Sequence, residues 1–389
     1  MEDDTLNTLR CVFGEAEEAG MDVERLGMAL GLIDGAVDSG FIPGFAAAVY
    51  RNGAPMCIGH GGARNPANLT QPVERDTIFL IASLTKPIVC AGALMLLEKG
   101  MFSLNQPVRE FIPEFRDGLK DEVKLIHLFT HTSGLYDQIP RGVELRRSQA
   151  PIDQYVRAVC DTDLLFTPGT RVSYQSMGIL LIGEIVERIT GQRLRDHLRQ
   201  QLFEPLEMND TTLGMPTGGM TRAAYSLDAP FPADSNDVGD DWDTDYWRDL
   251  GAPWGGLHST VDDLSHFLSH MLGQRQGPLS PALRAAMTTD QLPTMANIPE
   301  ADRRTNRWGL GWRLGSRAFG NLVSRDSFGH TGATGAMFWA DPAMSLSCVL
   351  LTNQPRLSRN SPPGFEQLGP RFSNAVVAAI VADNPAWRG

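Results

Sequence analysis

Ser83 and Lys86, in the stretch FLIASLTKPIVCAGALMLLEKG from Phe79 to Gly100, are spaced to do covalent chemistry together. A serine hydroxyl is a poor nucleophile until a base takes its proton. A lysine one helical turn along is near enough to do so, if its surroundings keep it an amine. Ser-x-x-Lys is the pattern of serine acyl-transfer enzymes. The chain has four lysines, and residues Leu96, Asp117 and Asp121 stand three before Lys99, Lys120 and Lys124, so only Lys86 has a serine there. Taken alone, the pair also fits an N-cap serine beside a surface lysine. Two other groups attract notice. Tyr174, in Tyr174-Gln175-Ser176, follows the Pro168-Gly169 turn and precedes a helix. His330-Thr331-Gly332 lies among small residues, where another backbone or a ligand can approach closely. Separately these would be a half-buried tyrosine and a glycine-rich strand end.

The elements that must carry these groups follow from periodicity. Ser83 opens a helix that Lys99 and Gly100 close, with Pro87 tolerated in its first turn. Val23, Leu26, Leu30, Ile33 and Val37 mark a helix over 22–39. Phe45 to Tyr50 and Pro55 to His60 read as a hairpin about Asn52-Gly53. Helices are expected over 151–159, 176–190, 194–203, 261–272, 281–287 and 371–382, and strands over 308–314, 336–340 and 346–352. Residues 227–253 have no clear period and many aspartates, with Trp242, Tyr246 and Trp247 among them, and read as a long lid loop. Strands gather at both ends and helices in the middle. The fold class is therefore α+β: residues 1–84 and 300–389 form a mixed lobe, 85–299 a mostly helical one, and the active site lies between them.

The 389 residues, 42% hydrophobic, suffice for a large core, and no apolar run reaches the length of a membrane span. A net charge of −12 argues against nucleic acid and anionic membranes as partners. The five cysteines form no C-x-x-C pair, so neither a zinc site nor a disulfide framework is indicated. The start MEDDTLNTLR is acidic and lacks an apolar signal region, which leads us to expect a cytoplasmic protein.

Taken in order, Ser83-x-x-Lys86, Tyr174-x-Ser176 and His330-Thr331-Gly332 resemble the serine β-lactamase-like superfamily. The likeness is to the branch of class C β-lactamases, D-alanyl-D-alanine carboxypeptidases and family VIII carboxylesterases. LFTHTSGL at 128–135, PLEMNDT at 205–211 and GGLHSTVDDLSHF at 255–267 look like further landmarks of that branch. The resemblance spans about residues 25–355. It implies a β-lactamase-like fold, an antiparallel sheet flanked by helices with an inserted, mostly helical lobe. It implies Ser83 as nucleophile, with Lys86 and Tyr174 as the base pair. Burial and the helix dipole would lower the lysine pKa, and nearby cations would favour a Tyr174 phenolate. The oxyanion hole maps onto the backbone N–H groups of Ser83 and Ala333. Substrate contacts fall to Ser176, His330, Gly332 and Trp254, the last being equally readable as a core tryptophan. Two residues depart from the class C pattern. His330 replaces a lysine and anchors a carboxylate less well, though the D-alanyl carboxypeptidases also tolerate histidine there. Ser176 replaces an asparagine and reaches less far.

Both changes favour short-chain esters over β-lactams. The expected function is a carboxylesterase working through an acyl-enzyme, with no cofactor and no metal. The alternatives are a β-lactamase or D-amino-acid peptidase, a transesterase with an alcohol as acceptor, or a sensor that no longer turns over. No G-x-S-x-G elbow is present. His266 and His270, four apart, lack the glutamate of a metalloprotease helix and read as a solvated face. Asp241-x-Asp243-x-Asp245 lacks the glycine and glutamate of a calcium loop and reads as acidic surface.

Overall fold

The structure, a computed structural model, describes residues 10–13, 15–215, 219–227, 242–356 and 362–381. Its main sheet draws on both ends of the chain. Strands β1 (Arg10–Phe13), β2 (Gly44–Arg51) and β3 (Ala54–Gly62) come from the first 62 residues. Three short strands elsewhere, β4 (Phe79–Leu80), β5 (Thr212–Leu213) and β6 (Leu257–Ser259), make a small second sheet. Then β7 (Arg313–Leu314), β8 (Phe328–Thr331), β9 (Met337–Asp341) and β10 (Leu346–Thr352) complete the first. The orders are β1-β3-β2-β10-β9-β8-β7 and β4-β6-β5, with every pair antiparallel. This is the α+β, β-lactamase-like architecture that the motifs implied.

The centre of the sheet is buried on both faces, which explains its nearly unbroken apolar strands. Phe45, Ala47 and Val49 of β2, with Leu346, Cys348 and Leu350 of β10, pack with helix α1 (Val23–Asp38) and the C-terminal helix Leu368–Ala378. Ala46, Ala48 and Tyr50, with Val349 and Leu351, point the other way into the larger core. Helix Val261–Met271 lies against β2 and β10 there. By sequence it falls within 85–299; by packing it belongs to the sheet. The hairpin turns at Asn52 and Gly53, whose φ of 53° and 82° suit the turn that this dipeptide favours.

Helix α2 (Thr85–Glu98) is the buried axis of the helical region, with Thr85 through Leu96 all buried. It packs against helix Met177–Thr190. Pro87 sits third in α2, where its missing N–H costs little.

Several sequence expectations need correction. The strand expected over 308–314 is only Arg313–Leu314. Before it, the N–H groups of Gly309, Leu310 and Gly311 donate to Trp312, Met287 and Phe129, three separate places, so no ladder can form. The last helix is Leu368–Ala378 rather than 371–382. Most of the expected lid loop, 228–241, lies outside the described residues. The remainder holds a helix, Asp245–Leu250, started by Thr244 capping the Trp247 N–H. Asp241 lies outside the described residues, and Asp243 is tied to the buried Arg248 and the Ser226 N–H. His270 is not on a solvated face: it is fully buried, Nδ1 meeting the Arg275 carbonyl and Nε2 accepting from the Leu279 N–H. Among the described residues no helix is long and apolar enough to cross a membrane.

Candidate active site

Ser83 stands on a tight turn, Ala82–Leu84, that leads into α2. The N-cap of α2 is Leu84, so Ser83 is not a capping serine. Ala82, just before it, has φ +47°, a left-handed conformation uncommon and strained for a non-glycine residue. Contacts on either side hold it there. Thr334 Oγ1 donates to the Leu80 carbonyl at 2.8 Å, and the Ile81 N–H donates to Leu257 at 3.0 Å. Gly332 lets β8 close on this turn, since a Cβ there would come within 2.6 Å of the Ile81 carbonyl oxygen.

Lys86 Nζ lies 2.9 Å from Ser83 Oγ and 2.8 Å from the Trp254 carbonyl oxygen. The lysine is buried, and burial lowers its pKa to about 7 against the opposing pull of Asp137 and Cys90. Burial is the leading cause. An amine in this place can give one N–H to Trp254 and keep its lone pair for Ser83. The Tyr174 ring lies 4.8 Å from Lys86 Nζ, and Ser83 lies near enough to its hydroxyl to favour the ionised form. The expected phenolate needs correction. Burial pushes the Tyr174 pKa up, outweighing Ser83 and Arg313, so the resting group is a neutral phenol. Tyr174 as a whole residue is 37% exposed, on the side where it lines the cleft.

Tyr174 is clamped from behind by His131, the second residue of the THTSG segment that follows helix α3 (Leu125–Phe129). The N–H of Ser173 donates to the His131 carbonyl at 2.9 Å, and that of Gln175 to His131 Nδ1 at 3.2 Å. The two neighbours of Tyr174 thus both end on one residue. The His131 ring lies 4.9 Å from that of Tyr174 and 4.2 Å from Trp308. Burial first, then Lys86, keeps the imidazole neutral, as its acceptor role requires.

These groups open onto one cleft of about 500 Å³. Ser83, Tyr174, Ser176, Trp254, His330, Gly332 and Ala333 all line it, and Lys86 lies directly beneath Ser83. Trp254 fills both roles open to it, since it lines the cleft and belongs to the core. Ser176 Oγ donates to Asp137 Oδ1 at 2.5 Å. His330 Nδ1 meets the Thr331 carbonyl at 2.8 Å, and burial lowers its pKa to about 3, so it is neutral. Its Nε2 is buried and has no partner among the described residues.

Sequence reasoning missed Asp137, Trp308, Arg313 and Arg356, which also line the cleft. The one signal for Arg313 was a lone charge in the apolar run WGLGWRL. Asp137 and Arg356 lie in loops with no motif of their own. Among the described residues Arg313 and Arg356 have no ion pair, and burial lowers the pKa of both.

A buried amine against a serine that follows a strained turn residue, set between an antiparallel sheet and a helical region, belongs to one class: the serine hydrolases of the β-lactamase fold. The chain belongs to the Beta-lactamase family, whose model matches residues 30–366. It is 29% identical over 320 residues to esterase EstB of Burkholderia gladioli, covering 73% of this chain and 79% of that protein. It is 27% identical over 380 residues to an N-acetylmuramyl-L-alanine amidase of Bacillus subtilis, covering 87% and 83%. Among solved structures, that of a family VIII carboxylesterase superposes with a TM-score of 0.76 at 19% identity, over 96% of this chain and all of that one.

Proposed function

We propose that the protein is a carboxylesterase that cleaves short-chain acyl esters through an acyl group on Ser83. The observation that carries this reading is the 2.9 Å contact between Ser83 and a buried lysine whose pKa is about 7. Neutral Lys86 takes the Ser83 proton as Oγ attacks the ester carbonyl. The backbone N–H groups of Ser83 and Ala333 receive the developing oxyanion. Tyr174, a phenol at rest, gives its proton to the leaving alkoxide and is reprotonated by the Lys86 ammonium. Water then attacks the acyl carbonyl, Lys86 takes its proton, and Ser83 leaves with a proton. An alcohol in place of water would make the same site a transesterase. The likeness to esterase EstB supports an ester substrate. A neutral His330 and a Ser176 already bonded to Asp137 weaken the contacts a β-lactam would need.

One observation favours a second reading, a β-lactamase or D-amino-acid peptidase. Arg313 and Arg356 line the cleft without ion-pair partners among the described residues and suit a substrate carboxylate. Parallel assays with p-nitrophenyl butyrate and a chromogenic cephalosporin separate the two. We expect the butyrate to turn over with kcat/KM at least a hundredfold higher. Turnover of the cephalosporin alone would overturn the esterase reading.

A further inference from the structure

Ser83 and Ala333 both line the cleft, and among the described residues neither backbone N–H has an acceptor. Backbone donors are nearly always paired inside a fold, so two free ones side by side in a cleft are there for a ligand. They belong to different elements. Ser83 stands in the turn between β4 and α2, Ala333 in the turn between β8 and β9. Each turn is closed on itself. In the first, the Leu84 N–H donates to the Ile81 carbonyl at 3.2 Å, and the Thr85 N–H to the Ala82 and Ser83 carbonyls. In the second, the Gly332 N–H donates to Ala336 at 2.7 Å and the Gly335 N–H to Gly332 at 3.1 Å. Each turn therefore moves as a unit, and the distance between the two N–H groups depends on what joins turn to turn.

No ladder joins them, because β4 belongs to the small sheet and β8 to the main one. Among the described residues a single hydrogen bond crosses from 328–336 to 79–85, the one from Thr334 Oγ1 to the Leu80 carbonyl at 2.8 Å. It starts one residue after Ala333 and ends three residues before Ser83. The bond is buried, so water does not compete for either partner. The far side of each turn is already tied elsewhere. The Ile81 N–H donates to Leu257 at 3.0 Å, and the Ala333 carbonyl accepts the Arg356 N–H at 2.7 Å. Both ties pull away from the gap between the turns, and the Thr334 hydroxyl spans it.

We propose that Thr334 is a positioning residue, whose hydroxyl holds the Ser83 and Ala333 N–H groups at the spacing that receives the oxyanion. This rests on the acyl-transfer reading above and assigns what sets the geometry of its oxyanion hole. Thr334 touches neither substrate nor nucleophile; it acts through the Leu80 carbonyl.

The test compares ethyl butyrate with O-ethyl thionobutyrate, in which sulfur replaces the carbonyl oxygen and the leaving alkoxide is the same. Sulfur is a poor acceptor, so the thiono ester gains little from the two N–H groups. Ethanol release is followed for the full-length protein and for Thr334→Val, Thr334→Ala and Thr334→Ser. For the wild type we expect kcat/KM on the oxo ester to exceed that on the thiono ester by about a hundredfold or more, the scale of a lost oxyanion donor. In Thr334→Val, which keeps the shape and loses the hydroxyl, kcat on the oxo ester falls about tenfold or more with KM little changed. The thiono rate hardly moves, so the oxo-to-thiono ratio shrinks. Thr334→Ala behaves like Thr334→Val, and Thr334→Ser, which keeps the hydroxyl, restores the ratio. An unchanged ratio in the folded Val or Ala variant overturns the proposal, as does an equal loss on both esters. A Ser variant with the ratio of Thr334→Val also overturns it. Thermal melting identifies the variants that fold, and the Ser variant decides alone if the other two do not. Wild-type behaviour separates the two failures. If the wild type cleaves the oxo ester and prefers it, only this proposal is at stake in the variants. If it cleaves neither ester, or cleaves both equally, the reading of the oxyanion hole falls and takes this with it.

Discussion

Lys86 is held by two oxygens, Ser83 Oγ and the Trp254 carbonyl, and among the described residues no carboxylate touches it to stabilise an ammonium. Its role as a base therefore has a pH signature. With a pKa of about 7, kcat/KM should fall tenfold per pH unit below that value, and His330, already neutral above about 3, should add no second limb. A pH–rate profile on p-nitrophenyl butyrate checks this; an acid limb near pH 4 would contradict it. The lowered pKa also has a cost in stability. The unfolded chain binds a proton at Lys86 up to about pH 10.4, while the folded chain releases it near 7. The penalty is complete below pH 7 and fades as pH rises towards 10.4. Lys86→Met should thus abolish activity and yet raise the unfolding free energy at neutral pH by a few kcal/mol, since each tenfold loss of proton affinity on folding costs about 1.4 kcal/mol. That gain should shrink in alkaline denaturant titrations. At this scale the sequence was informative where chemistry depends on residue type and order, as for Ser83, Lys86 and Tyr174. It misled on the Tyr174 phenolate, because burial there outweighs the cations, and burial is not visible in a motif. Asp137, Arg313 and Arg356 reach the cleft only through folding and had no pattern to mark them.

The elements fix how accurately these residues meet. Helix α3 and the THTSG segment set His131, and His131 sets Tyr174 through the N–H groups on either side of it. His131→Phe keeps a ring against Tyr174 but leaves the Gln175 N–H without its acceptor. We expect it to lower kcat ten- to a hundredfold on ethyl esters, whose poor leaving group needs the Tyr174 proton, and much less on p-nitrophenyl esters. His131→Asn, which restores an acceptor, should recover part of the loss; an equal loss on both ester types would point to general disruption instead. At Gly309 a Cβ would overlap the Met287 carbonyl oxygen. Gly309→Ala should destabilise the fold by about 2 kcal/mol or more, read as a lower urea midpoint. Elements with strong local signals were legible: the Asn52-Gly53 hairpin, the helix closed by Gly191, and β10, found at 346–352 as read. The 308–314 stretch was not, because Trp308, Leu310 and Trp312 alternate like a strand while the glycines between them send their N–H groups elsewhere. Helix Asp245–Leu250 was hidden because six residues show too little of a 3.6-residue period.

On the scale of the whole molecule, the chain returns after some 250 residues to finish a sheet begun in its first 62, placing β10 beside β2. The clustering of β-prone runs at both ends made this legible. The order of the strands was not, since it depends on pairings far apart in sequence. Cys57, Cys90, Cys160 and Cys348 are all buried. In alkylation followed by mass spectrometry, these four should react only in denaturant, giving a probe of global unfolding; rapid native labelling of Cys90 would mean that α2 opens. Both the chemistry and the specificity of the cleft depend on a covalent acyl group at Ser83. The most direct measurement is the intact mass of the protein, acid-quenched within seconds of mixing with p-nitrophenyl butyrate, followed by peptide mapping. We predict a butyryl adduct on the peptide containing Ser83, absent in Ser83→Ala and lost with time as water releases it. Turnover of the ester with no adduct on Ser83, or with an adduct elsewhere, would contradict the mechanism.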